Sequence, residues 1–238
     1  MLLQCDAKGL EWVCASFLSQ DKVAAEEIRN EIDQHHENQT MLKLPTRLIA
    51  KTFVFRLIYG GSAYSYAHDA NFTECGLNEK KWQGVIDGFY EKYSGLKQWH
   101  IAIMQEAQAT GRLVLPTGRI YTYEPNPKTG DWPRTTILNY PVQGLGADIM
   151  ALARVSFFNK LKKTDLKDYL LTNTVHDSIL IDTKEENTEV LYNLLTQTFK
   201  DLPANFQKLF GVEFNLPLVC TIDRGINWKE MEIVVNNA

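Results

Sequence analysis

The sequence predicts a fold of the α+β class, because segments with the residue types of β-strands occur beside long segments with helical periodicity. The chain opens on a short apolar run that stops at Asp6, which predicts a strand with Asp6 at its end. The segment YLLTNTVHDSILID, at 169–182, consists of two apolar strands joined at His176-Asp177, and such a junction forms the tip of a hairpin. We therefore expect both a sheet and a substantial helical part.

Caps, breakers and periodicity predict the other elements of the first half. A helix should follow the first strand, and the polar segment 21–40 should also be helical. Pro45 suits the first turn of a helix that runs from Arg47 to Gly60-Gly61. A further helical segment covers 78–110, with a bend near Ser94-Gly95.

In the second half, RLVLPTGRIYTYE predicts a hairpin, since β-branched and aromatic residues flank Pro-Thr-Gly. Residues 125–133 are rich in Pro, Gly and Asn and should form a loop. The remaining predicted elements are a helix from about Pro141 to Lys160, helices over 185–200 and 203–211, and a closing strand over 216–222.

Composition indicates an ordinary globular protein. The chain has 238 residues, of which 45% are apolar and 23% charged, so one large domain or two lobes are both possible. It contains no apolar run of about 20 residues, and Asp6 and Lys8 interrupt any signal-peptide core, so we expect a cytoplasmic protein without membrane contact. The four cysteines lack CxxC spacing, which argues against a zinc site or a disulfide framework.

The distribution of charged residues along the sequence is more informative about a ligand than the net charge of -4. No Asp or Glu occurs from Asn38 to His68, whereas Lys43, Arg47, Lys51 and Arg56 all lie in that stretch. A basic segment in an acidic protein indicates an anionic ligand. The alternative is a solvated helix face on which the cations cluster by chance.

Four of these side chains recur at steps of four in RLIAKTFVFRLIYG: Arg47, Lys51, Phe55 and Tyr59. On an α-helix each such step advances about 400°, so all four line one broad face. The two cations could hold a polyphosphate, and the two aromatics could stack on a base or a sugar. This face therefore suits a nucleoside triphosphate.

Asp6, at a strand end, and Asp177, at a hairpin tip, are the best-placed carboxylates. On adjacent strands they could hold two divalent cations about 3.5–4 Å apart, the arrangement that supports phosphoryl transfer. Hard oxygen ligands favour Mg²⁺. Taken alone, either Asp could instead be a turn former or a helix cap.

Several segments together resemble the DNA polymerase I-like, or family A, DNA polymerases. CDAKGLE at 5–11 is similar to motif A, RLIAKTFVFRLIYGG at 47–61 to motif B, and TVHDSIL at 174–180 to motif C, in the family's order. Further segments that match the family are GFYEKYSGLKQW at 88–99, the GR pair at 118–119 and NYPVQGLGADIM at 139–150. The resemblance covers nearly the whole chain.

The resemblance implies a right-hand polymerase fold with an antiparallel palm sheet and helical fingers. Residues 1–20 and 131–238 would belong to the palm, and 21–130 to the fingers and a connecting hairpin. A thumb and a proofreading exonuclease are not recognisable in the chain, so we expect a fragment, a split-gene product or a domain that works with a second polypeptide.

The resemblance also assigns site residues. Asp6 and Asp177 become the catalytic aspartates, which bind two Mg²⁺ ions together with the Ala7 carbonyl. The residues implied to contact the incoming deoxynucleoside triphosphate are Arg47, Lys51, His35, Phe55, Tyr59 and Glu11. The residues implied to contact the primer-template DNA are Gly60, Asn139, Gln143 and His176.

Glu11 is implied to select the sugar. In this family a Glu at that place fills the space below the 2′ position, so a ribonucleotide hydroxyl would clash or lose its hydrogen bonds. The alternative is an exposed Glu favoured by its place in the first turn of a helix.

Ser178 and Arg56 depart from the family pattern. Ser178 follows the motif C Asp where many members have Glu, and the same HDS triplet occurs in single-subunit RNA polymerases. Arg56 replaces a small residue after the motif B aromatic, and the sequence assigns it no role.

The leading hypothesis is template-directed DNA synthesis. An RNA polymerase fragment and a nucleotide- or DNA-binding module that is inactive without a partner chain remain as alternatives. RLIYGGSAYSYAHDANF is most similar to bacteriophage members, which suggests a viral origin and a location in the host cytoplasm.

Overall fold

A computed structural model describes residues 1–236 and places them in two compact units. One unit contains Met1–Val13 and the chain from Gly144 onward, and the other contains Cys14–Gln143. We call them the sheet unit and the helical unit. Their boundaries lie at 13/14 and 143/144. The palm and fingers boundaries at 20/21 and 130/131 stay a prediction.

The strands are β1 (Leu2–Ala7), β2 (Arg112–Val114), β3 (Ile120–Thr122), β4 (Tyr169–Val175), β5 (Ser178–Thr183), β6 (Cys220–Gly225) and β7 (Met231–Asn236). The α-helices are α1 (Leu10–Ser19), α2 (Lys22–Arg29), α3 (Gln34–Leu42), α4 (Arg47–Ile58), α5 (Ala63–Ala67), α6 (Glu79–Lys92), α7 (Ser94–Thr110), α8 (Arg134–Leu161) and α9 (Thr188–Phe210), and 3₁₀ turns occur at Ala70–Cys75 and Glu185–Asn187. None of the helices within the described part of the chain is long and apolar enough to cross a membrane. The α+β class predicted from the sequence is confirmed.

The sheet unit is built on an antiparallel sheet with the order β4-β5-β1-β6-β7. Side chains along β1 alternate between the faces, so Leu3, Cys5 and Ala7 are buried while Gln4 and Asp6 lie on the opposite, partly exposed face. The apolar face of the sheet thus fixes the register that directs Asp6 away from the core.

An aromatic cluster forms much of the core of the helical unit. The ring of Phe53, on α4, stacks on Trp82 and lies 5.0 Å from the ring of Tyr66. The Tyr66 hydroxyl donates to the Phe53 carbonyl at 3.0 Å, so the buried phenol is satisfied. Phe89, on α6, contacts Phe53 edge to face. This packing holds α4 from its buried side and leaves its other face, with Arg47 and Lys51, exposed.

Three predictions that took a proline as the start or the end of a helix are wrong. α8 begins seven residues before Pro141, and α9 continues through Pro203 where the sequence predicted a break. An interior proline costs a helix about 3 kcal/mol, but burial of Ile137, Leu138 and Val142 on α8 offsets this cost. Pro45 lies outside α4, because Thr46 is the N-cap residue and accepts from the Ile49 N–H.

Other predictions hold or shift slightly. The hairpin of β2 and β3 and the loop at 125–133 are confirmed, and the predicted bend near Ser94-Gly95 is a break between α6 and α7 at Tyr93. The polar segment 21–40 is helical, as predicted, and forms two helices, α2 and α3. The closing strand β6 begins at Cys220, four residues later than predicted, and β7 was not predicted.

Gly95 allows a close approach between α7 and the buried Asp21. One carboxylate oxygen of Asp21 accepts from the Ala24 N–H at 3.0 Å, and the other accepts from the Leu96 N–H at 3.1 Å. A Cβ at Gly95 would lie 2.8 Å from the Cα of Asp21 and 2.9 Å from its Oδ2. Only glycine therefore leaves both hydrogen bonds intact.

We expect Gly95→Ala to lower the free energy of unfolding by about 2 kcal/mol, because the methyl group forces Asp21 from its buried partners. Gly84→Ala, on α6, is the matched control: a Cβ there has no neighbour within 4 Å, and it should stabilise by up to about 1 kcal/mol. Urea denaturation measures both. Equal stability of the two variants would contradict the steric role of Gly95.

Candidate functional site

Pairing of β1 with β5 brings Asp6 beside the turn that carries Asp177. Asp6 lies opposite Ser178 in the ladder, and the Ala7 N–H donates to the Asp177 carbonyl at 3.0 Å. The Ser178 hydroxyl donates to Oδ1 of Asp6 at 2.5 Å. Asp6, near the end of β1, therefore lies beside the turn that contains Asp177, and Ser178, which departs from the family pattern, contacts Asp6 directly.

The hairpin between β4 and β5 has a two-residue turn, His176-Asp177, as predicted. His176 has φ of 52°, in the left-handed region that His enters more readily than most residues. Its side chain is exposed, whereas Asp177 is partly buried. The turn thus projects His176 into solvent and keeps Asp177 against the end of β1.

Three residues that the sequence analysis missed surround Asp6 on the same face of the sheet. Gln4 donates through Nε2 to the two Asp6 carboxylate oxygens, at 3.2 and 2.9 Å. Trp228 donates through its indole N–H to Oε1 of Gln4 at 2.6 Å. Asp223 lies opposite Gln4 on β6. The period of two along β1 could have indicated Gln4, but Trp228 and Asp223 depend on long-range pairing.

Asp223 carries the clearest electrostatic signal of this face. Burial raises the pKa of its carboxyl group, and the negative charge of Asp6 raises it further. Its Oδ1 is buried without a hydrogen-bond partner among the described residues. The ionised form of the Asp223 carboxyl group is therefore disfavoured on this face of the sheet.

Among residues 1–236, no group of three or more His, Cys, Asp or Glu side chains could hold a metal ion. Mg²⁺ is commonly bound through one or two carboxylates, with substrate phosphates and water completing its shell. Asp6 and Asp177 offer two such carboxylates, and the Ala7 carbonyl is a further hard oxygen. The donor chemistry of these residues is consistent with Mg²⁺ that is shared with a phosphate ligand.

Arg47, in the helical unit, is held by Asp33. The Arg47 Nε donates to Oδ2 of Asp33 at 2.7 Å, while Oδ1 of Asp33 accepts from the N–H groups of His35 and His36 and caps α3. Partial burial acts to raise the pKa of Asp33, but the hydrogen bonds from Arg47 and the two backbone groups outweigh it and lower the pKa. Both side chains remain about half exposed. Asp33 was not predicted, although an Asp before a polar helix is a common cap signal.

His35 lies beneath the exposed face of α4, with 9% of its surface accessible. Its ring is 5.7 Å from the ring of Phe55, and Nζ of Lys51 is 5.8 Å from the Phe55 ring centre. Burial and the positive charges of Arg47 and Lys51 lower the pKa of His35 to about 4. His35 is therefore neutral at pH 7. Its Nδ1 is buried without a partner among the described residues.

Tyr59 and Gly60 end α4 rather than forming its last turn. Tyr59 is the C-cap residue and Gly60 has φ of 86°, which favours glycine. Gln143 donates through Nε2 to the Tyr59 hydroxyl at 2.6 Å. Asn139 lies one turn before Gln143 on α8, because the helix starts earlier than predicted. The earlier start places both amides on one helix face.

Arg56, which the sequence left without a role, has a structural one. Its guanidinium pairs with Asp69 and lies 5.2 Å from the centre of the Phe72 ring. Asp69 in turn caps the 3₁₀ turn through the Asn71 N–H. Arg56 thus fastens α4 to the segment that follows α5. Arg56 is therefore not expected to bind a ligand, because its guanidinium is already paired with Asp69.

Glu11 lies in the first turn of α1 and is partly buried. Its place there is consistent with both interpretations of this residue, the sugar-selecting side chain and the acidic residue favoured at a helix N-terminus. The site residues divide between the units: Asp6, Ala7, Glu11, His176 and Asp177 belong to the sheet unit, and the others belong to the helical unit.

Three bacterial proteins named DNA polymerase I are similar to the chain. The protein of Caldicellulosiruptor bescii is 25% identical over 97% of the chain, that of Bacillus subtilis is 26% identical over 97%, and that of Aquifex aeolicus is 31% identical over 65%. The aligned regions cover 27%, 26% and 26% of these relatives. The chain thus spans about a quarter of the length of the relatives it matches. These relatives are bacterial, and the viral origin stays a prediction.

Among solved structures, the fold matches the POL domain of Pol1 from M. smegmatis, in complex with DNA primer-template and dNTP. The TM-score is 0.80 at 20% identity, and the match covers 95% of this chain and 40% of the other. This likeness confirms the predicted polymerase type of fold. The sequence pattern of the family described as "DNA polymerase family A" matches residues 1–230. The chain therefore belongs to DNA polymerase family A.

Proposed function

We propose that the chain is the catalytic part of a template-directed DNA polymerase, which adds deoxynucleotides to the 3′ end of a primer. The observation that carries this proposal is the pairing of β1 with β5, which brings Asp6 and Asp177 together in a chain of family A. The relatives named DNA polymerase I, and the solved relative bound to primer-template and dNTP, support the substrates.

In this proposal the sheet unit is the palm and the helical unit is the fingers. The primer 3′ oxygen attacks the α-phosphorus, the bond to pyrophosphate breaks, and the hydroxyl proton is released. Asp6, Asp177 and the Ala7 carbonyl would hold two Mg²⁺ ions. When bound, these ions supply the charge that polarises the phosphate and stabilises the attacking and leaving oxygens. Gln4 and Ser178 keep the Asp6 carboxylate oriented through their hydrogen bonds.

The residues of α4 hold the nucleotide. Arg47 and Lys51 bind the triphosphate and steady the pyrophosphate leaving group. Neutral His35 contributes a hydrogen bond to the same phosphates, and Phe55 packs beside the sugar and base. Tyr59 and Gly60 border the nascent base pair, Asn139 and Gln143 meet the minor groove, and His176 lies near the primer terminus.

The hydrogen bond to Asp33 limits which part of the Arg47 guanidinium can bind a phosphate. Because Arg47 donates through Nε to Asp33, the outer edge of the guanidinium is the part that can receive a phosphate. The carboxylate also offsets part of the positive charge, so Lys51 supplies the net charge of this region.

The other functions are less well supported. An RNA polymerase fragment accounts for the HDS triplet, but the family match and Glu11 favour deoxynucleotides. A binding module that is inactive without a partner would need no paired carboxylates. A second polypeptide that supplies a thumb and an exonuclease remains a proposed partner, alongside primer-template DNA.

The test of the function is primer extension by the purified protein, together with any polypeptide encoded beside it, in Mg²⁺. We expect incorporation of deoxynucleotides at the 3′ end of a primer annealed to a longer template. A failure to extend the primer with any such partner would contradict the proposed function.

The role of Glu11 is tested in the same assay. We expect Glu11→Ala to reduce the preference for deoxynucleotides over ribonucleotides by about 100-fold, because the space below the 2′ position opens. Glu26→Ala, which removes an exposed acidic side chain from α2, is the control for the change of charge and should leave the preference as in wild type. An unchanged sugar preference in Glu11→Ala would contradict the steric role of this residue.

A further inference from the structure

Two consecutive hydrogen bonds link Trp228 to Asp6 on the partly exposed face of the sheet. The indole N–H of Trp228 donates to Oε1 of Gln4 at 2.6 Å, and Nε2 of Gln4 donates to the Asp6 carboxylate oxygens at 3.2 and 2.9 Å. Gln4 lies two residues before Asp6 on β1, so both side chains point to the same face. Trp228 lies in the turn between β6 and β7. All three residues belong to the sheet unit.

The chemistry of the two end groups fixes the direction of the Gln4 amide. An indole N–H can only donate a hydrogen bond, and an ionised carboxylate can only accept one. A glutamine between them must turn its oxygen to Trp228 and its nitrogen to Asp6, because the reversed amide would set donor against donor and acceptor against acceptor. Trp228 thus selects the orientation in which Gln4 is a donor to Asp6.

The turn that carries Trp228 is closed by its own hydrogen bonds. Oδ1 of Asn227 accepts from the N–H groups of Lys229 and Glu230 at 2.9 and 3.1 Å. A Cβ at Gly225, where β6 ends, would lie 2.2 Å from the carbonyl oxygen of Glu230, so the close approach of the backbone requires glycine. Because 56% of the Trp228 surface is exposed, this turn and the bond to Gln4 hold the indole more than burial does.

From these contacts we infer that Trp228 is a positioning residue for Asp6, which acts through Gln4 and raises the affinity of Asp6 for a divalent cation. The inference rests on the proposed function, in which Asp6 is a ligand of Mg²⁺, and deepens it with a residue outside the segments similar to motifs A, B and C. An ionised carboxylate offers about four lone-pair sites, so the hydrogen bonds from Gln4 and Ser178 leave it able to bind a cation.

Asp223 explains why the Gln4 amide needs an anchor. Asp223 lies directly opposite Gln4 on β6, and its Oδ1 is buried without a hydrogen-bond partner among the described residues. Side chains opposite each other in a ladder are close enough to interact, so an unanchored Gln4 has a second carboxylate to which it can donate. The bond from Trp228 restricts the rotatable bonds of Gln4 in advance and keeps its nitrogen on Asp6.

The experiment measures Mn²⁺ binding to the whole chain by electron paramagnetic resonance, without primer or nucleotide. The site of interest is the one that is lost in Asp6→Asn. We expect Gln4→Leu to weaken Mn²⁺ binding at that site by about tenfold and Trp228→Phe by about fivefold, because residues that orient a metal ligand typically change metal affinity on this scale. The double variant should bind no more weakly than Gln4→Leu, because Trp228 acts through Gln4.

Trp132→Phe is the matched control, because it makes the same substitution at a partly buried Trp in the helical unit. It should leave Mn²⁺ affinity as in wild type, and thermal denaturation measures how far each variant stays folded. The inference is overturned if Trp228→Phe binds Mn²⁺ as wild type does, or if its effect multiplies with that of Gln4→Leu.

The proposed function and the inference fail in different ways, because Mn²⁺ binding is measured without primer extension. A wild-type protein that binds Mn²⁺ at a site dependent on Asp6, but extends no primer with any partner, would contradict the proposed function alone. A wild-type protein without such a Mn²⁺ site would overturn the inference, whatever its activity.

Discussion

Replacement of Asp177 by Asn is expected to reduce primer extension by about a thousandfold or more while the protein stays folded. The amide has the size of the carboxylate but lacks its charge, so it binds a divalent cation poorly and stabilises the transition state by several kcal/mol less. The turn itself should survive, because its link to β1 uses the backbone carbonyl of Asp177 and not its side chain.

Asp182→Asn is the matched control for this loss. Asp182 lies on β5, the strand that follows the turn, and its largely exposed carboxylate is 3.8 Å from the amino group of Met1. The substitution makes the same change of charge on the same hairpin, and we expect less than about a twofold effect, because a surface ion pair contributes little. Single-turnover extension and thermal denaturation are measured in parallel. Extension by Asp177→Asn at a rate within about tenfold of wild type would remove Asp177 from the catalytic role.

The strands, and the positions of Asp6 at a strand end and of Asp177 in a turn, could be predicted because the information for them is local. The strand that ends at Asp6 has an apolar run with a clear end, and the hairpin at His176-Asp177 has two apolar strands with only two residues between them. The pairing of β1 with β5 could be expected only from the resemblance, because 171 positions separate Asp6 from Asp177 and no local pattern encodes such a contact.

The failures have equally physical causes. Pro141 and Pro203 are strong local breakers, and burial elsewhere on the same helices outweighs their cost. Asp33 and Gln4 were missed because the hydrogen bonds that join them to Arg47 and Asp6 leave little trace in the sequence. Arg56 shows the converse: its place in a basic segment suggested a ligand, and only the structure reveals its pair with Asp69.

A second large effect is expected for substitutions on α4 that remove a cation. Arg47→Ala and Lys51→Ala should each weaken deoxynucleoside triphosphate binding by about 10- to 100-fold, since each would remove one of the charge-assisted hydrogen bonds that we propose to phosphate. Arg47→Lys should recover only part of this affinity, because an ammonium group cannot reproduce the two-pronged contact of a guanidinium. Equilibrium titration with a fluorescent nucleotide, at a fixed ionic strength, measures the affinities.

Arg56→Ala is the matched control for these variants, because it also removes one positive charge from α4. Arg56 is paired with Asp69 and lies against Phe72, so its loss should lower the melting temperature and leave nucleotide affinity within about threefold of wild type. If nucleotide binding depended only on the net positive charge of the segment, all three alanine variants would weaken it equally. A selective effect at Arg47 and Lys51 would instead show that the phosphate site is made by the exposed face of α4, which the aromatic core beneath it holds in place.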